Sequence, residues 1–112
     1  MTFHKGSWAA ALETAAKENK LVFLDAYTTW CGPCKKMSKE TFTQSAVGTY
    51  FNENFVNVKM DMEKGEGIGL AEKYSVMVYP TLLFFSPDGS IVHRSAGSVS
   101  YTHLTLPTIY SV

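Results

Sequence analysis

The sequence predicts an α/β domain, and three observations carry that expectation. An unbroken apolar run, Leu21-Val22-Phe23-Leu24, passes through Asp25 into a polar turn and then into a helix-start pattern. Val56, Val58 and Met60 alternate as one face of a second strand. Leu82–Phe85 and Ile91–Arg94 flank Ser86-Pro87-Asp88-Gly89-Ser90, a strong hairpin-turn signal.

Ahead of the first strand, Ser7 is placed to cap a helix with Trp8, Ala11, Leu12, Ala15 and Ala16 on one face. Lys17-Glu18-Asn19-Lys20 closes it with late positive charge and an Asn that tolerates a left-handed turn. The central strand then spans residues 21–27. A second helix runs from about Cys31 to Phe42, with Met37 on its buried side and Lys35, Lys36 and Lys39 on a solvated face. Pro33 falls in its first turn, where a missing N–H costs nothing. Thr43 or Ser45 caps a short helix carrying Val47, Tyr50 and Phe51, and Asn52-Glu53-Asn54 turns the chain into a strand over 55–61. The segment from Glu63 to Gly69 holds glycines but no Gly-Lys-Ser/Thr, which excludes a phosphate loop; it reads as a flexible entry to a short helix near 70–74. Ser75 to Tyr79 leads to Pro80, tolerated at the start of an apolar strand.

A chain of 112 residues implies one domain with a real core. Ten Lys+Arg balance ten Asp+Glu, leaving no electrostatic footprint for nucleic acid or an anionic membrane. No apolar run reaches the roughly 18–20 residues of a membrane span. The start, MTFHKGSWAA, lacks an apolar signal-peptide core, so a cytoplasmic location is expected as written, or the cell envelope if a leader preceded it.

The two cysteines, Cys31 and Cys34, form one Cys-x-x-Cys and leave nothing for a structural disulfide framework. A structural zinc wants four ligands; only His4, His93 and His103 could add to the pair, and none has ligand spacing, so no metal is expected. Beside a strand–helix pattern the pair reads as redox. A cysteine at a helix N-terminus meets unpaired N–H groups and the positive end of the macrodipole, which favour thiolate over thiol. Cys34, one turn further in and more shielded, is placed to resolve whatever Cys31 attacks. Asp25, on the strand beneath, can exchange a proton with Cys34. His4 and His93 read as surface residues without a catalytic role.

Trp30-Cys31-Gly32-Pro33-Cys34-Lys35, preceded by a strand aspartate, resembles the thioredoxin family. Tyr79-Pro80-Thr81 before the run Leu82-Leu83-Phe84-Phe85 resembles that family's cis-proline loop, and Asp88-Gly89 with Gly97 follows at the family's spacing. The resemblance covers about Ser7 to Gly97. It implies a thioredoxin-like fold, a central mixed β-sheet flanked by helices, and reduction of protein disulfides by a redox-active Cys31–Cys34 pair without further cofactor. It also implies a thiol reductase as electron donor, a monomer, and a docking rim of Trp30, Gly32, Pro33, Tyr79 and Pro80. The alternatives are an oxidising or isomerising protein of the cell envelope and a non-catalytic binding module. Three departures stand out. Lys39-Glu40 occupies the place of the helix-kinking proline, as in the soluble reductant domains attached to transmembrane thiol reductases, and Tyr79 replaces an aliphatic residue. The family's second buried charge, a lysine, falls at Asn57 when Asp61 is aligned, with Lys59 two residues on.

The domain is expected over residues 1–98. Residues 99–112 carry no charged side chain and no helical face. The string VSYTHLTLPT within them resembles the translation of a transposase adapter used in sequencing libraries. A non-native or disordered tail and a missing final helix are therefore expected, the alternative being a β-rich extension.

Overall fold

The computed structural model describes residues 1–97, so the readings placed on the tail and on His103 lie outside the described residues. In chain order the elements are α1 (Trp8–Glu18), β1 (Leu21–Tyr27), α2 (Gly32–Glu40), α3 (Ser45–Asn54), β2 (Phe55–Asp61), α4 (Glu66–Lys73), β3 (Thr81–Phe85) and β4 (Ile91–Ala96). The four strands form one mixed sheet in the order β2-β1-β3-β4. β1 runs parallel to β2 and antiparallel to β3, which pairs antiparallel with β4. This is the expected mixed sheet flanked by helices.

Because side chains alternate along a strand, β1 serves two cores at once. Val22, Leu24 and Ala26 join Trp8, Ala11 and Ala15 of α1 and Leu70 of α4 on one face. Phe23 joins Met37, Phe42, Val47 and Phe51 on the other, under α2 and α3. Phe23 packs edge-on to Phe51 with ring centroids 4.9 Å apart, and Trp8 does the same to Phe85 at 4.8 Å. The same parity puts Asp25 on the face that α2 covers. Register sets Asp25 opposite Lys59 of β2 and Phe23 opposite Asn57.

Several boundaries differ from the sequence reading, each for a local reason. Ser7 does cap α1, its hydroxyl accepting from Ala10 N, and Asn19 closes the helix at φ 55°; Ala16, however, is exposed. Cys31 is the N-cap of α2 rather than its first helical residue, and the helix ends at Glu40 before Phe42 drops into the core. Neither Thr43 nor Ser45 caps α3: Gln44 holds that position without a capping side-chain bond, its Nε2 donating instead to Glu40 O at 3.0 Å, while the Thr43 hydroxyl donates to Lys39 O at 2.6 Å. α3 continues through Asn54 into β2 without the expected turn. α4 begins at Glu66, so Gly67 and Gly69 lie inside a helix and not in a flexible entry.

Gly67 is there because of space. A Cβ on it would collide with the backbone carbonyl of Asp61. Ala is the better helix former by about 1 kcal/mol, but forcing a methyl against backbone costs roughly 1–3 kcal/mol. Gly67→Ala is therefore expected to lower stability by up to about 2 kcal/mol, read as a reduced urea midpoint with unchanged slope.

No sequence pattern marks residues 1–4, yet they are tied to β2. His4 N donates to Asn57 O at 2.7 Å, Asn57 Nδ2 donates to Thr2 O at 3.2 Å, and Met1 and Phe3 pack against the aromatic core. His4 and His93 are half-buried rather than surface residues, and His93 packs on Phe84 at 5.6 Å. Among the described residues no helix is long and apolar enough to cross a membrane.

Candidate active site

The site lies where the C-terminal end of β1 meets the start of α2. Cys31 and Cys34 are joined as a disulfide with Cα atoms 5.3 Å apart. As N-cap, Cys31 turns its Sγ back over the helix and accepts the Cys34 N–H at 3.1 Å. A sulfur so placed receives one of the orphan donors of the first turn and faces the positive end of α2. Gly32 and Pro33, at the first two helical positions, are exposed.

The expected difference in shielding between the two cysteines is absent. Cys31 is 3% exposed and Cys34 6%, because the capping geometry folds Cys31 down as far as its partner. The asymmetry of the pair lies in the hydrogen bond and the helix field.

Asp25 is 2% exposed. Burial pushes its carboxyl from the ordinary 3.8 up to about 6, and the opposing Lys59 ammonium only partly offsets that rise. Lys59, rather than Asn57, is thus the lysine placed against the strand acid. Asn57 is buried and bonded to the N-terminal segment and to Asn52.

Just before β3, the Tyr79–Pro80 peptide bond is cis. Pro80 is itself buried and its carbonyl accepts from Gly97 N at 2.7 Å, while the Thr81 hydroxyl donates to Val78 O at 2.6 Å. β3 holds this loop against the site, since Thr81 pairs with Ala26. The Tyr79 and Trp30 rings meet edge to face at 6.0 Å. Trp30 is 65% exposed, and its indole N–H donates to Glu63 Oε1 at 2.9 Å. Burial, then the Glu63 and Asp61 carboxylates, push the Tyr79 phenol up.

Trp30 and Tyr79 come together as the sequence reading expected, with Met77 and Val78 exposed beside them. Glu63 and Thr28 had no assigned part in it, and Lys59 was singled out only as the lysine two residues beyond Asn57. Glu63 lies 33 residues from Trp30 in the chain, and no periodicity reports such a pairing. Among the described residues there is no cluster of three or more His, Cys, Asp or Glu able to hold a metal ion.

A sheet of this order with a Cys-x-x-Cys at a helix start and a cis-proline at the start of the strand beside β1 defines a thiol–disulfide exchange site on a thioredoxin-type scaffold. The sequence profile described as Thioredoxin-like matches residues 2–87, and the chain belongs to that family. A thioredoxin from Echinococcus granulosus is 37% identical over 74% of this chain and 72% of its own length. The thiol:disulfide interchange protein DsbD of Actinobacillus pleuropneumoniae is 36% identical over 71% of this chain, which spans only 14% of that protein. Among solved structures, a Bacteroides thetaiotaomicron protein with a provisional disulphide-isomerase assignment superposes with TM-score 0.87 at 48% identity, covering 99% of this chain and 92% of that one. The chain is a thioredoxin-like thiol–disulfide oxidoreductase.

Proposed function

We propose that the chain reduces disulfides in other proteins; the Gly32-Pro33 pair between the cysteines, like that of the family's reductants, supports this direction, and the capping of α2 by Cys31 supports the exchange itself. Cys31 Sγ accepts the Cys34 N–H at the start of α2, where a thiolate is stabilised as nucleophile and as leaving group. In the reduced protein the Cys31 thiolate attacks one sulfur of a target disulfide, and the target's other sulfur leaves as a thiolate. Cys34, giving its proton to Asp25, then attacks Cys31 Sγ. The Cys31–Cys34 bond forms, the target leaves with its second thiol, and two electrons have passed to it. A carboxyl brought to about 6 exchanges protons near neutral pH, which suits that step.

Trp30, Tyr79 and the exposed Gly32-Pro33 edge form the docking rim, with cis-Pro80 fixing the loop beneath them. The disulfide pair itself is the redox group, and no other cofactor is called for. A thiol reductase returns the electrons, and the chain works as a monomer.

Insulin reduction with a dithiol electron source tests this reading: the protein is expected to accelerate insulin precipitation and to titrate near −270 mV. The isomerase assignment of the Bacteroides relative favours a second reading, an oxidising or isomerising role. A potential near −120 mV, with refolding of scrambled disulfides and no insulin reduction, would establish that one instead.

A further inference from the structure

On the side of α2 that faces β2 lies a cavity of about 450 Å³, which Cys34 of the exchange pair borders and whose other lining residues have no part in the chemistry above. Its lining includes Thr28, Cys34, Lys35, Ser38, Lys39 and Lys59, and no carboxylate. Lys35 and Lys39, one helical turn apart, are exposed and make no ion pair among the described residues. Like charges at that spacing repel, so the pair stands in need of a counter-charge. Lys59 is held at the cavity by the Ser38 hydroxyl at 3.0 Å and by the Tyr27 ring, 5.1 Å from its ammonium. Asp25 faces it in register but lies outside ion-pair distance.

A separate observation points to a ligand. Thr28 is 1% exposed, and its hydroxyl has no hydrogen-bond partner. A buried hydroxyl without a partner is costly, and one in the wall of a cationic cavity can donate to whatever enters. The volume falls within the range of small-molecule sites, roughly 300–1,000 Å³.

We infer that this cavity binds a small oxyanion, a phosphate or carboxylate carried by a small molecule. Lys35, Lys39 and Lys59 line it, and the unpartnered Thr28 hydroxyl and Cys34 form part of its wall. Lysine suits such a ligand as a point charge, and the lining itself holds no acid. The site is separate from the Trp30–Tyr79 rim, so a protein substrate and the anion can be held together.

Amide spectra of the oxidised protein, recorded while inorganic phosphate or succinate is added at constant ionic strength, test this. Saturable shifts at Thr28, Thr29, Cys34 and Ser38 are expected. Each of Lys35→Gln and Lys39→Gln should weaken binding about two- to fivefold, and Lys36→Gln, on the same helix outside the cavity, should not. Saturation by phosphate alone, or by succinate alone, supports the site and names its ligand chemistry. Non-saturating shifts with both, a Lys35→Gln/Lys39→Gln double variant that binds like the parent, or an equal loss in Lys36→Gln would overturn the inference. All three substituted lysines are exposed, so folding is not at stake, and insulin reduction can succeed or fail independently of the result.

Discussion

Cys31→Ser is expected to lower insulin reduction by about a thousandfold or more, to the rate of the dithiol alone, because it removes the nucleophile. Cys34→Ser should fail differently. It retains the attacking sulfur and the backbone N–H at 3.1 Å, so the first step proceeds and the mixed disulfide accumulates. Turnover falls nearly as far, but target proteins remain covalently attached through Cys31 and are released by excess thiol. In reduced Cys34→Ser, iodoacetamide should modify Cys31 faster at neutral pH than it modifies an ordinary free cysteine, since the rate follows the thiolate fraction. Both variants reducing insulin like the parent would make the chain a binding module. A Cys31 no more reactive than a free thiol would leave the N-cap without chemical consequence.

How much of this was readable beforehand depends on the range of the interaction. The apolar run 21–24, the capping Ser7 and the Asp88-Gly89 turn are local signals, and the structure places all three as read, with the Asp88 carboxylate accepting from Ser90 N at 2.9 Å. The Cys31 and Pro80 motifs were legible because each is written in consecutive residues. What escaped is long-range. The N-terminal four residues dock through an Asn57 side chain more than 50 residues away. Gly67 answers to the carbonyl of Asp61, not to its helix neighbours. The equal burial of the two cysteines follows from one rotamer, that of the capping Cys31, which helix periodicity alone does not determine. Lys59 was visible as a charge, but only the register of β1 on β2 sets it against Asp25.

That register leads to the second large effect. Asp25→Asn is expected to stabilise the oxidised protein at neutral pH, by an amount that disappears in acid. In the folded chain the carboxyl titrates at about 6, against an ordinary 3.8. A group whose pKa is raised on folding favours the folded state in its neutral form. Its contribution is full below the unfolded value and is lost as pH climbs through the folded one. Between pH 3.5 and 7 the loss amounts to about 3 kcal/mol, a sizeable part of a small domain's total stability. An amide does not titrate, so urea unfolding of parent and Asp25→Asn should diverge through that window and run parallel above pH 7. A constant offset from burying the amide shifts both ends equally and leaves the divergence intact. Lys59→Met should widen the gap further, because the ammonium now favours the ionised carboxyl. A difference that stays flat from pH 3.5 to 7 would mean that solvent reaches Asp25. The carboxyl could then no longer serve as a proton acceptor tuned by burial. The folded state thus carries near neutral pH the cost of a buried charge, at the carboxyl that the proposed resolving step takes as its proton acceptor, which is the usual trade between stability and a working site.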